Sequence, residues 1–143
     1  MPEGGSKYRG HGLDDPLSEQ GWSQMWNGVG EHDDWQRIVT SPMRRCRSFA
    51  QALAERLCLD VEVEAEFREI GFGEWEGLTR DTLKRERADE YYRFYADPVH
   101  QTPPGAEPVA EFFSRVVAAF QHWRTATAGE NLLIVGHAGV NRA

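Results

Sequence analysis

The stretch that most limits what this chain can fold into is Asn131–His137, NLLIVGH, close to its carboxyl end. Leu132, Leu133, Ile134 and Val135 follow one another with no polar alternation that would leave one face in water. Such a run suits a strand covered on both faces, and strands of that kind belong to parallel sheets roofed by helices. The run then breaks into Gly136, His137, Ala138 and Gly139. Ligands of open α/β sheets bind beyond the carboxyl ends of the strands. A histidine set there among small residues leaves room for a ligand to approach the backbone. A buried, hydrogen-bonded structural histidine would have the same local sequence.

The remaining pattern supplies the partners this strand needs. Ser18 reads as the N-cap of a helix carrying Trp22, Met25, Trp26 and Val29 on one side. Arg37–Thr40, RIVT, reads as a short strand. It runs into SPMRRCRSFAQALAERL, with Ser41 as N-cap and Pro42 in a tolerated first-turn position. Met43, Cys46, Ala50, Leu53 and Leu57 recur there at helical spacing. VEVEA at 61–65 alternates like a strand with one wet face, and 66–79 is a glycine-punctuated, structured loop. A polar helix is predicted from Arg80 to Tyr95, stopping before Asp97-Pro98, and HQTPPGAEP is a rigid loop. A long helix from Glu107 to Thr127 is predicted to turn Val109, Phe112, Phe113, Val116, Val117 and Phe120 inward. Residues 1–16 are rich in Gly, Asp and Pro and read as loop. Strand, helix, strand, helix, strand is the pattern of one α/β domain over 1–143, with a largely parallel sheet.

At 143 residues the chain can bury a real core. A formal charge of -7 argues against nucleic acid as a partner, since phosphate backbones select basic surfaces. It does not exclude a small anion, because a local arginine cluster can override the net field. No apolar run approaches the length of a membrane span, and no signal peptide opens the sequence. Cys46 and Cys58 have no Cys-x-x-Cys spacing and read as reduced thiols of a cytoplasmic protein.

Three residues stand out for chemistry. Arg45 falls in the first turn of a helix that follows a strand, where free N–H groups and the dipole already favour an anion. Its planar fork suits phosphate or carboxylate; Arg44 and Arg47 point elsewhere, and all three could equally be surface arginines. Glu69 lies among Phe67, Phe72 and Trp75, where a carboxyl can have its pKa raised and serve as a general acid. An exposed acidic loop with Glu74 and Glu76 is the competing reading. His137 is the third. His11, Asp14 and Asp15 in RGHGLDD imitate a metal cluster, but the spacing matches no strong zinc signature, and glycine-rich loops collect Asp for turn formation.

Taken together, SPMRRC, FREIGFGEWEG, PPGAEP and LLIVGHAGVNRA resemble the histidine phosphatase superfamily, also called phosphoglycerate-mutase-like, and within it the α-ribazole phosphatase type. The resemblance covers nearly the whole chain. It implies a three-layer α/β/α fold and a cofactor-independent, metal-free phosphatase acting on a small phosphorylated metabolite through a phosphohistidine. Arg45 would clamp the phosphoryl oxygens, Glu69 would protonate the leaving oxygen, and His137 would hydrogen-bond the phosphoryl group. Arg9 would contact phosphate or the organic part of the substrate. The sequence departs from the family pattern in one serious respect: it has no Arg-His-Gly, the motif that carries the family's nucleophile. The resemblance therefore predicts a chain that begins just after its first strand and stops before a further helix and strand. Alone, such a chain would be inactive and marginally stable. A phospho-ligand-binding remnant, a phosphoglycerate mutase and a metal hydrolase stay open as alternatives. The segment from Gly77 to Pro103 is short for a mutase. Aromatic residues Tyr8, Trp75, Tyr91, Tyr92 and Phe94 suit either an organic group or simple packing, and oligomeric state is not readable.

Overall fold

The structure, a computed structural model, describes residues 7–143, so the first six residues of the expected loop lie outside it. Among the described residues the strands β1 (Arg37–Thr40), β2 (Val61–Val63) and β3 (Leu132–Val135) form one parallel sheet in the order β2–β1–β3. The helices are α1 (Glu19–Val29), α2 (Arg44–Leu57), α3 (Arg80–Glu86), α4 (Ala88–Ala96), α5 (Val109–Ala126) and the short α6 (Ala138–Arg142).

The apolar run of β3 is divided between two layers, as its lack of alternation requires. Leu133 and Val135 pack with Ile38 against α1 and α2, while Leu132 and Ile134 pack with Val39 against α5. Helices therefore cover both faces, which gives the α/β/α layering. Register pairs Thr40 with both Val63 and Val135, so β1 and β3 end level. The Ser41 N–H then donates to the Val135 carbonyl at 2.9 Å, bringing the residues just past the two strands side by side.

Local signals mark some boundaries and miss others. Ser18 caps α1 as expected, its Oγ accepting from the Gly21 N–H at 3.1 Å. Ser41 does not cap α2, which begins at Arg44 after an extended Met43. The first free N–H, that of Arg44, is taken at 2.6 Å by Asp14 Oδ1 from a distant loop. The second strand is shorter than VEVEA, because Ala65–Phe67 turns into a 3₁₀ helix that tucks Phe67 into the core.

The polar helix expected over 80–95 is two helices, broken at Arg87 with φ -135°. The break has a packing reason: Leu83 and Tyr91 both bury against Trp75. On one straight helix, residues eight apart would point about 80° away from each other.

In α5 the inward stripe is Phe112, Val116, Ala119 and Trp123. Phe113, Val117 and Phe120, expected inside, are exposed, because a helix can turn only one such stripe onto a sheet. No helix among the described residues is long and apolar enough to cross a membrane.

Candidate active site

Just beyond the carboxyl ends of β1 and β3 lies a cavity of about 350 Å³. Arg9, Arg45, Glu69 and His137 all line it, together with Lys7, Cys46 and Gly136. They arrive from four separate segments: an amino-terminal loop, the first turn of α2, the loop after β2, and the residue following β3 with its flanking glycine. Lys7, Arg9 and Arg45 stand there against Glu69 and against Asp15 just behind, which leaves the balance locally positive although the chain carries -7 overall.

Arg45 is buried, and its guanidinium is fixed from behind. One Nη donates to the Leu13 carbonyl at 3.1 Å and the other to the Gly10 carbonyl at 3.1 Å. Desolvation pulls its pKa below the usual value, with Arg9 adding to the effect while Cys46, Glu69 and Asp14 oppose it. Arginine nonetheless stays charged. Arg9 is also buried; its Nε donates to Asp15 at 2.9 Å, and Lys7 stands 3.5 Å from the same carboxylate. Desolvation would raise the Asp15 carboxyl, but Arg9 and Lys7 outweigh it and hold it below the ordinary range.

His137 is buried with its Nε2 only 2.7 Å from Ser41 Oγ. That hydroxyl oxygen accepts from the Met43 N–H at 3.2 Å, which leaves its proton free to be given to the ring. Desolvation drives the pKa of His137 down to about 3, and the charges of Arg45 and Arg115 push the same way. The imidazole is therefore neutral at neutral pH while the cavity holds no anion. The Cys46 thiol closes the wall beside it, donating to the Gly136 carbonyl at 3.3 Å. Burial pushes that thiol up to about 12, so it is not a ready nucleophile.

Glu69 is half-buried. Its carboxylate accepts from its neighbour Ile70 N–H at 3.0 Å and, more weakly, from Gly139 N–H at 3.5 Å. A side chain at position 139 would meet Glu69 Oε1, so the glycine lets the carboxylate lie here without being pushed aside. The main chain around Glu69 is clamped from outside the loop. Arg115 on α5 donates to the carbonyls of Glu66, Arg68 (3.1 Å) and Glu69 (3.2 Å). A bidentate pair with Glu107, at 2.7 and 2.8 Å, holds the guanidinium in place. Glu107 in turn accepts from the Gly71 N–H at 3.3 Å.

The apparent metal cluster is taken apart by these contacts. His11 Nδ1 donates to the Glu69 carbonyl at 3.2 Å, Asp14 caps α2, and Asp15 pairs with Arg9. Among the described residues no three His, Cys, Asp or Glu side chains are grouped to hold a metal. Of the aromatic candidates, Trp75 and Tyr91 are buried packing, Tyr92 is exposed, and Tyr8 lines the cavity. Sequence reasoning brings Arg9, Arg45, Glu69 and His137 forward and misses what holds them. Ser41 carried a signal, since it follows one strand as His137 follows its neighbour. The Arg115–Glu107 pair carried none.

Comparison with known proteins agrees with this architecture. A bifunctional protein of Mycobacterium tuberculosis is 32% identical over 134 residues, covering 92% of this chain and 36% of that protein. The adenosylcobalamin/alpha-ribazole phosphatase of Salmonella typhimurium is 29% identical over 135 residues, covering 93% of this chain and 66% of that one. This chain thus spans about a third to two thirds of those relatives. The crystal structure of the alpha-ribazole phosphatase from Shigella flexneri superposes with a TM-score of 0.81 at 27% identity, covering 95% of this chain and 68% of that chain. The family model for the histidine phosphatase superfamily (branch 1) matches residues 4–143, and the chain belongs to that superfamily.

Proposed function

We propose that this chain carries the phosphoryl-holding and proton-donating part of a phosphatase site for small phosphate monoesters. The observation behind this reading is the meeting of Arg9, Arg45, Glu69 and His137 on one locally positive cavity at the sheet's carboxyl edge. Arg45, and with it Arg9, binds the non-bridging oxygens, because guanidinium matches phosphate geometry with two parallel hydrogen bonds. His137 is neutral in the free site; a dianion beside it favours its protonated form, and it then donates to the phosphoryl group as charge develops. Glu69, at the cavity wall, gives its proton to the departing oxygen. In this reading no metal or organic cofactor takes part, and neither nucleic acid nor a membrane surface is a partner of so acidic a chain. A cytoplasmic setting suits its free thiols.

Covalent attack on phosphorus is assigned to no residue here, since the sequence has no Arg-His-Gly. That same feature favours a second reading, a module that holds a phosphorylated ligand without turning it over. Titration with inorganic phosphate, run beside hydrolysis of an unactivated alkyl phosphate monoester followed by phosphate release, separates the two, because an alkoxide leaving group needs the proton. The phosphatase reading expects turnover by the full-length natural protein, reduced about 10²–10³-fold in Arg45→Ala and about 10²–10⁴-fold in Glu69→Gln. Phosphate binding that depends on Arg45, with no turnover in the full-length natural protein, selects the binding module. Absence of phosphate binding defeats both.

A further inference from the structure

The cavity at the sheet edge has a neighbour. A second space of about 340 Å³ lies between the end of α4, the start of α5 and α6. Tyr8, Glu69, Phe72 and Ala138 line both spaces, so Glu69 stands at the boundary. Beyond that boundary the walls are apolar and largely aromatic: Phe94 and Tyr95 on one side, Val109, Phe112 and Phe113 on the other. Among the described residues, the charged ones touching it are Glu69 and Arg142. Phe72 and Phe94 meet edge to face with ring centres 6.4 Å apart, and Phe112 and Phe113 lie 5.9 Å apart. Tyr8 and Tyr95 share a hydrogen bond through their hydroxyls, which ties the end of α4 to the loop that carries the first cavity.

Two of these rings stay outside the core. Phe113 is 41% exposed and Tyr95 49% exposed, and neither completes a core cluster. Large apolar side chains facing a concave space mark a binding groove more often than an accident of packing.

We infer that this space receives the organic group of the phosphate monoester, and that the group is flat, apolar and uncharged, an aryl or similar ring. The inference rests on the phosphatase-site reading above. A general acid must lie within hydrogen-bond reach of the oxygen it protonates. With phosphate held by Arg45 and His137, the leaving oxygen sits at Glu69, and whatever that oxygen carries extends into the aromatic space. A ring there stacks on or meets the edges of Phe94, Tyr95 and Phe113. A carboxylated organic group would have to give up its water for largely apolar walls.

Phosphonates test this, because their carbon–phosphorus bond is not cut by phosphatase chemistry and binding is read alone. Methylphosphonate, benzylphosphonate and 2-carboxyethylphosphonate are titrated calorimetrically, with inorganic phosphate as reference. Benzylphosphonate should bind at least about tenfold more tightly than methylphosphonate, the scale expected for burying a ring, and 2-carboxyethylphosphonate no more tightly. Phe113→Asp on one wall, and Tyr95→Ser on the other, should bring benzylphosphonate down toward methylphosphonate. Equal binding of benzyl and methyl compounds overturns the inference and leaves the phosphoryl site standing. So does a benzyl preference that survives both substitutions. Failure of phosphate and methylphosphonate alike to bind overturns the phosphatase-site reading, and the inference falls with it.

Discussion

Arg45 and His137 leave the level carboxyl ends of two hydrogen-bonded strands, whereas Glu69, facing them, sits in a stretch that no ladder supports. The first wall is fixed by topology. β1 and β3 pair in register, α2 follows at once, and the Ser41–His137 hydrogen bond spans the two strand ends. The second wall is fixed by side chains: Arg115 gathers three loop carbonyls, and Glu107 gathers Arg115 and the Gly71 N–H. The difference has an energetic meaning. A backbone ladder is shared among many residues and survives the loss of any one side chain, while a clamp has a single point of failure.

Breaking that point should give the largest effect. The Arg115 and Glu107 side chains are only 11% and 14% exposed. Removing one partner leaves an uncompensated charge with little water to receive it, at a cost of about 3–5 kcal/mol. Arg115→Ala should lower stability by that amount in urea denaturation. Its loss of amide-exchange protection should concentrate in 66–71 rather than in α2. Arg115→Lys should recover only part, since an ammonium cannot reproduce the bidentate fork. A change below about 1 kcal/mol would mean that the loop is held by something other than the clamp.

Acidification probes the opposite wall. His137 titrates near 6.5 when unfolded and at about 3 when folded, because desolvation and then Arg45 and Arg115 disfavour its charged form. Between those values the unfolded chain holds a proton that the folded chain does not. Stability therefore falls as pH falls through this window, by up to about 1.4 kcal/mol per unit. Glu107 joins only lower down. Desolvation works to raise its carboxyl, but Arg115 and Gly71 hold it below the ordinary range. Its contribution is present above its unfolded value and is lost as pH drops through the lowered one. Replacing His137 with Gln should flatten the stability–pH curve between pH 6.5 and 4.5 while leaving the steeper decline below. An unchanged slope in that variant would show that His137 is not the group titrating.

How much of this could be read in the sequence divides along the same line. Arg45 and His137 were legible because the rule that places ligands at the carboxyl ends of parallel strands needs only the strands and the residues just past them. Their layer was legible too, since an unbroken apolar run in β3 demands cover on both faces. Glu69 was reached through the motif around it, because nothing local tells an acid in a site from an acid in a wet loop. Arg115 and Glu107 look in sequence like one more pair of charges near a helix start; their role exists only once α5 lies against the loop. The break at Arg87 escaped for a related reason: it is set by Trp75, which lies outside the helical segment. The exposed Phe113 and Phe120 show the limit of periodicity, which reveals two apolar stripes on α5 but not which of them the sheet takes.

Asp14 offers the smallest and sharpest comparison. In sequence it belonged to a false metal cluster; in the structure its Oδ1 accepts from the Arg44 N–H at 2.6 Å and caps α2 from thirty residues away. The same loop offers the Gly10 and Leu13 carbonyls to Arg45, so the cap and the guanidinium's backing come from one piece of chain. Asp14→Ala should cost about 1 kcal/mol, the usual loss for an N-cap carboxylate. Asp14→Asn, which can still accept that hydrogen bond, should recover most of it. Because the Arg115–Glu107 clamp is untouched, amide exchange in 66–71 should not change, and the weakened contact should show first in the protection of the first turn of α2. Exchange that rises equally in both walls would mean that they fold and loosen as one unit, and the distinction between a ladder-held and a clamp-held wall would fail.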